Sequence, residues 1–149
     1  MARAVTDTLA LYRGAGADGI RFHAKLDGLD GVRAVARMGE LKEVLVNLLE
    51  NAREAVDGGG EVVVEAAATP DRRWVDVTVA DTGEGIPAEA LPRIFEPQFS
   101  TRTSGTGLGL AIVRRMVESW GGEATAESEP GVGTRVRIRL QARPEHDLH

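Results

Sequence analysis

Apolar residues recur at spacings of three and four from about Glu40 to Val56: Leu41, Val44, Leu45, Leu48, Leu49, Ala52 and Val56. That period puts all seven on one face and predicts an amphipathic helix packed by that face. Asp57-Gly58-Gly59-Gly60 stops it. A second helix is expected over Leu108 to Trp120, ended by Gly121-Gly122. A short one is expected over Asp7 to Ala15 with Asp7 as its N-cap, and another around Ala88 to Ile94. Elsewhere apolar and polar residues alternate, which marks strands with one covered face. Such strands run from Ile20 to Leu26, Glu61 to Ala68, Trp74 to Ala80, Glu123 to Glu129 and Thr134 to Leu140. A weaker edge strand is expected within Gly31 to Arg37. Turns at Thr69-Pro70-Asp71 and Gly131-Val132-Gly133 join two of the strand pairs. This order predicts an α+β two-layer sandwich, a mixed β-sheet with helices on one face.

Composition narrows the class. A chain of 149 residues fits one domain, 1–141, with a polar, aperiodic tail over 142–149. A net charge of -5 argues against broad affinity for nucleic acid. Cysteine is absent, so disulfides and thiolate chemistry are excluded, and a reducing cytoplasm is the expected location. No apolar run approaches the roughly 18 to 20 residues that cross a bilayer. The first residues do not read as a signal peptide.

Four stretches carry candidate chemistry. On the long helix, Asn47 and Asn51 share a face that Glu43 and Glu54 extend. Asparagine is a poor helix former, so two in a helix interior invite a reason. Such a face is either solvated surface or an oxygen ligand for hydrated Mg²⁺, a hard ion that keeps several waters. Second, Asp81-Thr82-Gly83-Glu84-Gly85-Ile86-Pro87 follows a strand directly. A carboxylate there can accept from an exocyclic amine, and the glycines let backbone approach a flat ring; an ordinary strand-to-turn junction is the plainer reading. Third, Gly105-Thr106-Gly107-Leu108-Gly109-Leu110 opens the second helix, where free N–H groups and the helix dipole favour phosphate. The spacing matches neither the dinucleotide fingerprint nor the P-loop. Fourth, Phe95 and Phe99 stand in a polar loop, as anchors of a lid or as a small satellite core.

Together and in this order the four stretches resemble the boxes of sensor histidine kinases. EVLVNLLENAREA over 43–55 resembles the N box, DTGEGIP the G1 box, IFEPQFST the F box and GTGLGLAIV the G2 box. The resemblance extends over about residues 5–141 and implies the Bergerat fold shared with gyrase B, Hsp90 chaperones and MutL. It implies that Asn51 ligates Mg²⁺ on the ATP phosphates and that Asp81 binds the adenine amino group with support from Thr134. Gly83, Gly85 and Ile86 would flank the base. Gly105, Thr106, Gly107, Leu108 and Gly109 would end the lid and face the phosphates, with Phe95 and Phe99 anchoring it. Arg102 stands where the family often has lysine, and Glu54 stands where many members carry a cation. Asparagine at Asn47 replaces the glutamate with which the ATP-hydrolysing relatives activate water.

The resemblance further implies a protein histidine kinase that transfers the γ-phosphoryl of Mg-ATP to a histidine on a dimerisation domain, supplied in cis by a parent protein or in trans. A response regulator would act downstream, and the parent can be membrane-anchored. This chain offers His23, on the strand expected from Ile20 to Leu26, and His146 and His149 in the tail, none in an acceptor context. The dimerisation and phosphoacceptor domain is therefore expected to be absent, the chain to be a fragment of a longer kinase, and the isolated chain to be a monomer. An anti-sigma-type serine kinase, or an ATP-sensing module without transfer, are the alternatives.

Overall fold

The computed structural model describes residues 2–13, 20–29, 31–56, 59–96 and 109–144. Helix α1 (Ala2–Arg13) leads into β1 (Ile20–Asp27) and the short β2 (Val32–Ala34). Helix α2 (Met38–Ala55) precedes the hairpin of β3 (Gly60–Ala68) and β4 (Trp74–Asp81). A 3-10 turn at Leu91–Arg93 comes before α3 (Gly109–Ser119), β5 (Glu123–Glu129) and β6 (Gly133–Pro144). The strands form one mixed sheet in the order β1-β3-β4-β6-β2, with β5 also pairing β6. Among the described strands only β1 and β3 run parallel, and α2 is part of the crossover between them.

One face of this sheet is apolar because period two puts every second side chain there. Val62, Val64 and Ala66 of β3 sit beside Val75, Val77 and Val79 of β4, and these beside Val136, Ile138 and Leu140 of β6. The stripe read from α2 covers that face, with Leu41, Val44, Leu45, Leu48, Leu49, Ala52 and Val56 each no more than 2% exposed. Helix α3 adds Leu110, Val113 and Val117, and α1 adds Val5 and Leu9. The two-layer sandwich with helices on one face is therefore the observed architecture. The opposite face is polar, and on it the Arg139 guanidinium grips Asp76 with two hydrogen bonds of 2.7 and 2.8 Å.

Boundaries differ most from the sequence expectations at α1, at β2 with the end of β6, and at the 88–94 segment. Helix α1 begins at Ala2, so Asp7 lies inside it and is not its N-cap. Val5 and Leu9, one turn apart and both buried, pull the helix start back past the polar Thr6-Asp7 pair. Only Val32–Ala34 of the Gly31 to Arg37 segment forms a strand, and it pairs residues 142–144. That pairing also carries β6 through to Pro144, beyond Leu140. The expected helix around 88–94 is the 3-10 turn at Leu91–Arg93. Pro87, Pro92, Asp71 and Thr69 shape the connecting turns. In one of these, Thr69 Oγ1 and the Arg73 N–H both donate to Asp71 and hold its carboxyl below the ordinary value.

Candidate functional site

The site is built along the polar face of α2. Asn47 and Asn51 are half-buried there, and Ala55 follows one turn later. Asn47 Nδ2 donates to the Glu43 carbonyl at 3.0 Å, which fixes the amide and leaves Oδ1 facing the start of α3. A methyl group at Gly109 would lie 3.5 Å from that oxygen. At the other end, a side chain at Gly83 would collide with the backbone of Ala55. The face at 47, 51 and 55 thus touches the first residue of α3 at one end and the loop after β4 at the other. Asn51 lies between the two contacts.

Asp81 ends β4 on the helix-covered side of the sheet and is only 7% exposed. A carboxylate this buried needs hydrogen bonds. Its Oδ1 accepts the Gly83 N–H at 2.9 Å and the Thr134 N–H at 3.3 Å. Thr134 is its ladder partner on β6 and is 4% exposed. The loop after Asp81 is tied down from outside. Thr82 Oγ1 accepts the Glu61 N–H at 3.0 Å, and the Gly131 N–H donates to the Glu84 carbonyl at 2.7 Å. Gly85 adopts a φ of 78°, where a side chain would be strained and would run into Glu129. Ile86, partly buried against the core, donates its N–H to Ser128 Oγ at 2.7 Å.

Beyond the 3-10 turn, Ile94 is buried and Phe95 packs against the core, with the Arg114 guanidinium of α3 5.9 Å from the ring centroid. Phe95 is therefore wedged between core and helix. Phe99, Arg102, Gly105, Thr106, Gly107 and Leu108 lie outside the described residues, as do His146 and His149. His23 is exposed on the polar face of the sheet, with the sheet between it and Asn51.

The structure thus brings together Asn47, Asn51, Gly83, Gly109, Asp81 and Thr134. It also adds Ser128, whose hydroxyl touches Ile86, Gly133 and Thr134. The sequence held a sign of it: Ser128 occupies the covered-face slot after Ala124 and Ala126 in an alternating strand. The pairing of Trp120 Nε1 with Glu40 Oε1, at 3.2 Å, links the far ends of α2 and α3 and had no sequence signal. No group of three or more acidic, histidine or cysteine side chains suited to a metal occurs among the described residues. The neutral side chains this face could turn to a cation are the amides of Asn47 and Asn51, whose oxygens are the ligand type that hydrated Mg²⁺ takes. No helix among the described residues is long and apolar enough to cross a membrane.

Comparison with known proteins places this geometry. The family described as histidine kinase-, DNA gyrase B-, and HSP90-like ATPase matches residues 28–144. Sensor histidine kinase ZraS of Klebsiella oxytoca is 48% identical over 108 residues, 72% of this chain and 23% of that protein. The chain thus spans about a quarter of that relative's length. The solved catalytic domain of histidine kinase ThkA superposes with a TM-score of 0.83 at 30% identity, covering 95% of this chain and 91% of that one. Full-length ShkA, solved in complex with AMPPNP, superposes with a TM-score of 0.80 at 29% identity over 95% of this chain and 30% of its own. The chain belongs to the histidine kinase-, DNA gyrase B- and HSP90-like ATPase family, and its sheet and helices are those of the catalytic, ATP-binding domain of histidine kinases.

Proposed function

We propose that this chain transfers the γ-phosphoryl of ATP to a histidine on a separate dimerisation domain. The observation that carries the reading is the α2 face. It joins the Asp81 loop at Ala55 to the start of α3 at Asn47, with Asn51 between them. A nucleotide lying along that face would meet Asp81 and Thr134 with its base and the N-terminus of α3 with its phosphates. Gly83, Gly85 and Ile86 would border the base. Arg102 and the residues from Thr106 to Gly109 would hold phosphate, by guanidinium charge and by free N–H groups at a helix start.

Asn51 would hold Mg²⁺ through its amide oxygen, and the ion would neutralise charge on the phosphates. Asn47 has an amide where a general base would be needed to activate water. An amide does not take up a proton near neutral pH, so the residue does not promote hydrolysis and the γ-phosphoryl is kept for the acceptor. The nucleophile is the acceptor's imidazole nitrogen: its bond to phosphorus forms as the bond to ADP breaks. The chain's own part is to bind, orient and neutralise. Helices α2 and α3 commit their apolar stripes to the sheet, which supports a monomeric domain.

The experiment supplies the chain with labelled ATP, Mg²⁺ and a dimerisation domain from a histidine kinase. Acid-labile label is expected on the supplied domain and none on the chain alone. Tight Mg-ATP binding without label on any supplied acceptor would overturn transfer in favour of an ATP-sensing module. Acid-stable label on a serine would point to a serine kinase.

A further inference from the structure

Ser128 Oγ accepts the Ile86 N–H at 2.7 Å, and it contacts the Gly133 carbonyl oxygen at 3.1 Å and Thr134 Oγ1 at 2.9 Å. A hydroxyl has one proton and two acceptor sites. A carbonyl can only accept, so the three contacts are satisfied together in one way. Ser128 donates to Gly133, and Thr134 donates to Ser128. Every capacity of the Ser128 hydroxyl is then filled, and Thr134 Oγ1 retains lone pairs alone. Thr134 stands across the ladder from Asp81, a carboxylate that also offers only lone pairs.

We propose that Ser128 is a specificity-determining positioning residue. By holding the Thr134 proton, it makes the Asp81–Thr134 rung an acceptor-only edge that takes a purine with a 6-amino group and rejects one with a 6-oxo group. The inference rests on the reading that this rung meets the nucleotide base. A 6-amino group brings protons to such an edge, whereas a 6-oxo group sets lone pairs against lone pairs, and that repulsion is what separates the two bases. Without the Ser128 hydroxyl, Thr134 is free to turn and donate to a 6-oxo base.

The test measures affinity for ATP and ITP by calorimetry on the full chain, with Ser128→Ala, Ser128→Thr, Thr134→Val and the Ser128→Ala/Thr134→Val pair. Wild type should prefer ATP; if it binds neither nucleotide or prefers ITP, the nucleotide-site reading itself fails. Given that preference, Ser128→Ala should reduce the ATP-to-ITP ratio by about tenfold, the order of one hydrogen bond made or lost. Ser128→Thr, which keeps the hydroxyl, should restore the ratio. Thr134→Val should narrow the ratio by itself, and adding Ser128→Ala to it should narrow the ratio no further, because the two act through one proton. Equal weakening of ATP and ITP in Ser128→Ala would make its role merely structural and overturn the proposal. A ratio unchanged in Thr134→Val would overturn it too, whether or not Ser128→Ala folds.

Discussion

Strands β4 and β6 lie side by side, and on their covered face the rungs read Val75 with Leu140, Val77 with Ile138, Val79 with Val136, and then Asp81 with Thr134. The first three rungs are core; all six side chains are at most 3% exposed. The fourth is nearly as buried, at 7% and 4%, yet it carries a carboxylate and a hydroxyl. Depth alone does not separate them. What separates them is bonding: the apolar rungs are held by contact with α2 and α3, whereas Asp81 is held by N–H groups of Gly83 and Thr134. Burial of polar groups is costly unless they are bonded in this way. The same ladder is thus scaffold over most of its length, and at its end it carries the polar rung that the proposed function assigns to the nucleotide base.

Mutations divide accordingly. The largest effect on the fold is expected from Ile138→Ala, in the fully buried second rung. It should lower unfolding free energy by about 3 kcal/mol, as large-to-small core changes do, while the folded fraction binds nucleotide unchanged. A denaturant midpoint with parallel calorimetry checks both. Asp81→Asn should do the reverse. Asparagine keeps an acceptor oxygen for the Gly83 and Thr134 N–H groups, so stability should move by about 1 kcal/mol or less. ATP affinity should fall about ten- to a hundredfold, since a hydrogen bond to a charged group is lost. Unchanged affinity would remove the base from this rung.

Asn51→Ala tests the other wall of the site. Affinity for Mg-ATP should drop about tenfold, while affinity for ATP with chelator present stays near wild type. Equal losses in both titrations would show that Asn51 does not touch the metal. The smallest effect should come from Asp76→Asn on the polar face of the sheet. Its partner Arg139 is one-third exposed, so the pair should contribute less than about 1 kcal/mol and nothing to nucleotide affinity. Measuring the unfolding midpoint at low and high salt isolates that contribution.

How much of this was legible in the sequence depends on how local the cause is. The α2 stripe and the strand alternation are local, and the helices and strands they predicted are present with ends shifted by a few residues. The four boxes were legible by their joint order, since singly each had an ordinary structural reading, and residues 97–108 of the last two lie outside the described residues. The start of α1 was misread because the burial of Val5 and Leu9 against the rest of the core outweighs the capping preference of Asp7. The short span of β2 and the extension of β6 arise from one another and have no pattern of their own. Ser128 was visible only as a polar residue in an inward-facing slot; its partners come from two separate segments, the loop at Ile86 and the start of β6, so no spacing could name them.

The bond between Trp120 and Glu40 gives the molecule an optical readout of its own. Trp120 is 7% exposed and follows the last residue of α3. At 1.5 Å per residue it stands roughly 16 Å along the helix from Gly109, too far for a nucleotide at the other end to quench it by contact. With the other indole removed by Trp74→Phe, its emission therefore reports the seating of α3 against α2, and a spectral shift on adding ATP would register a displacement of the whole helix.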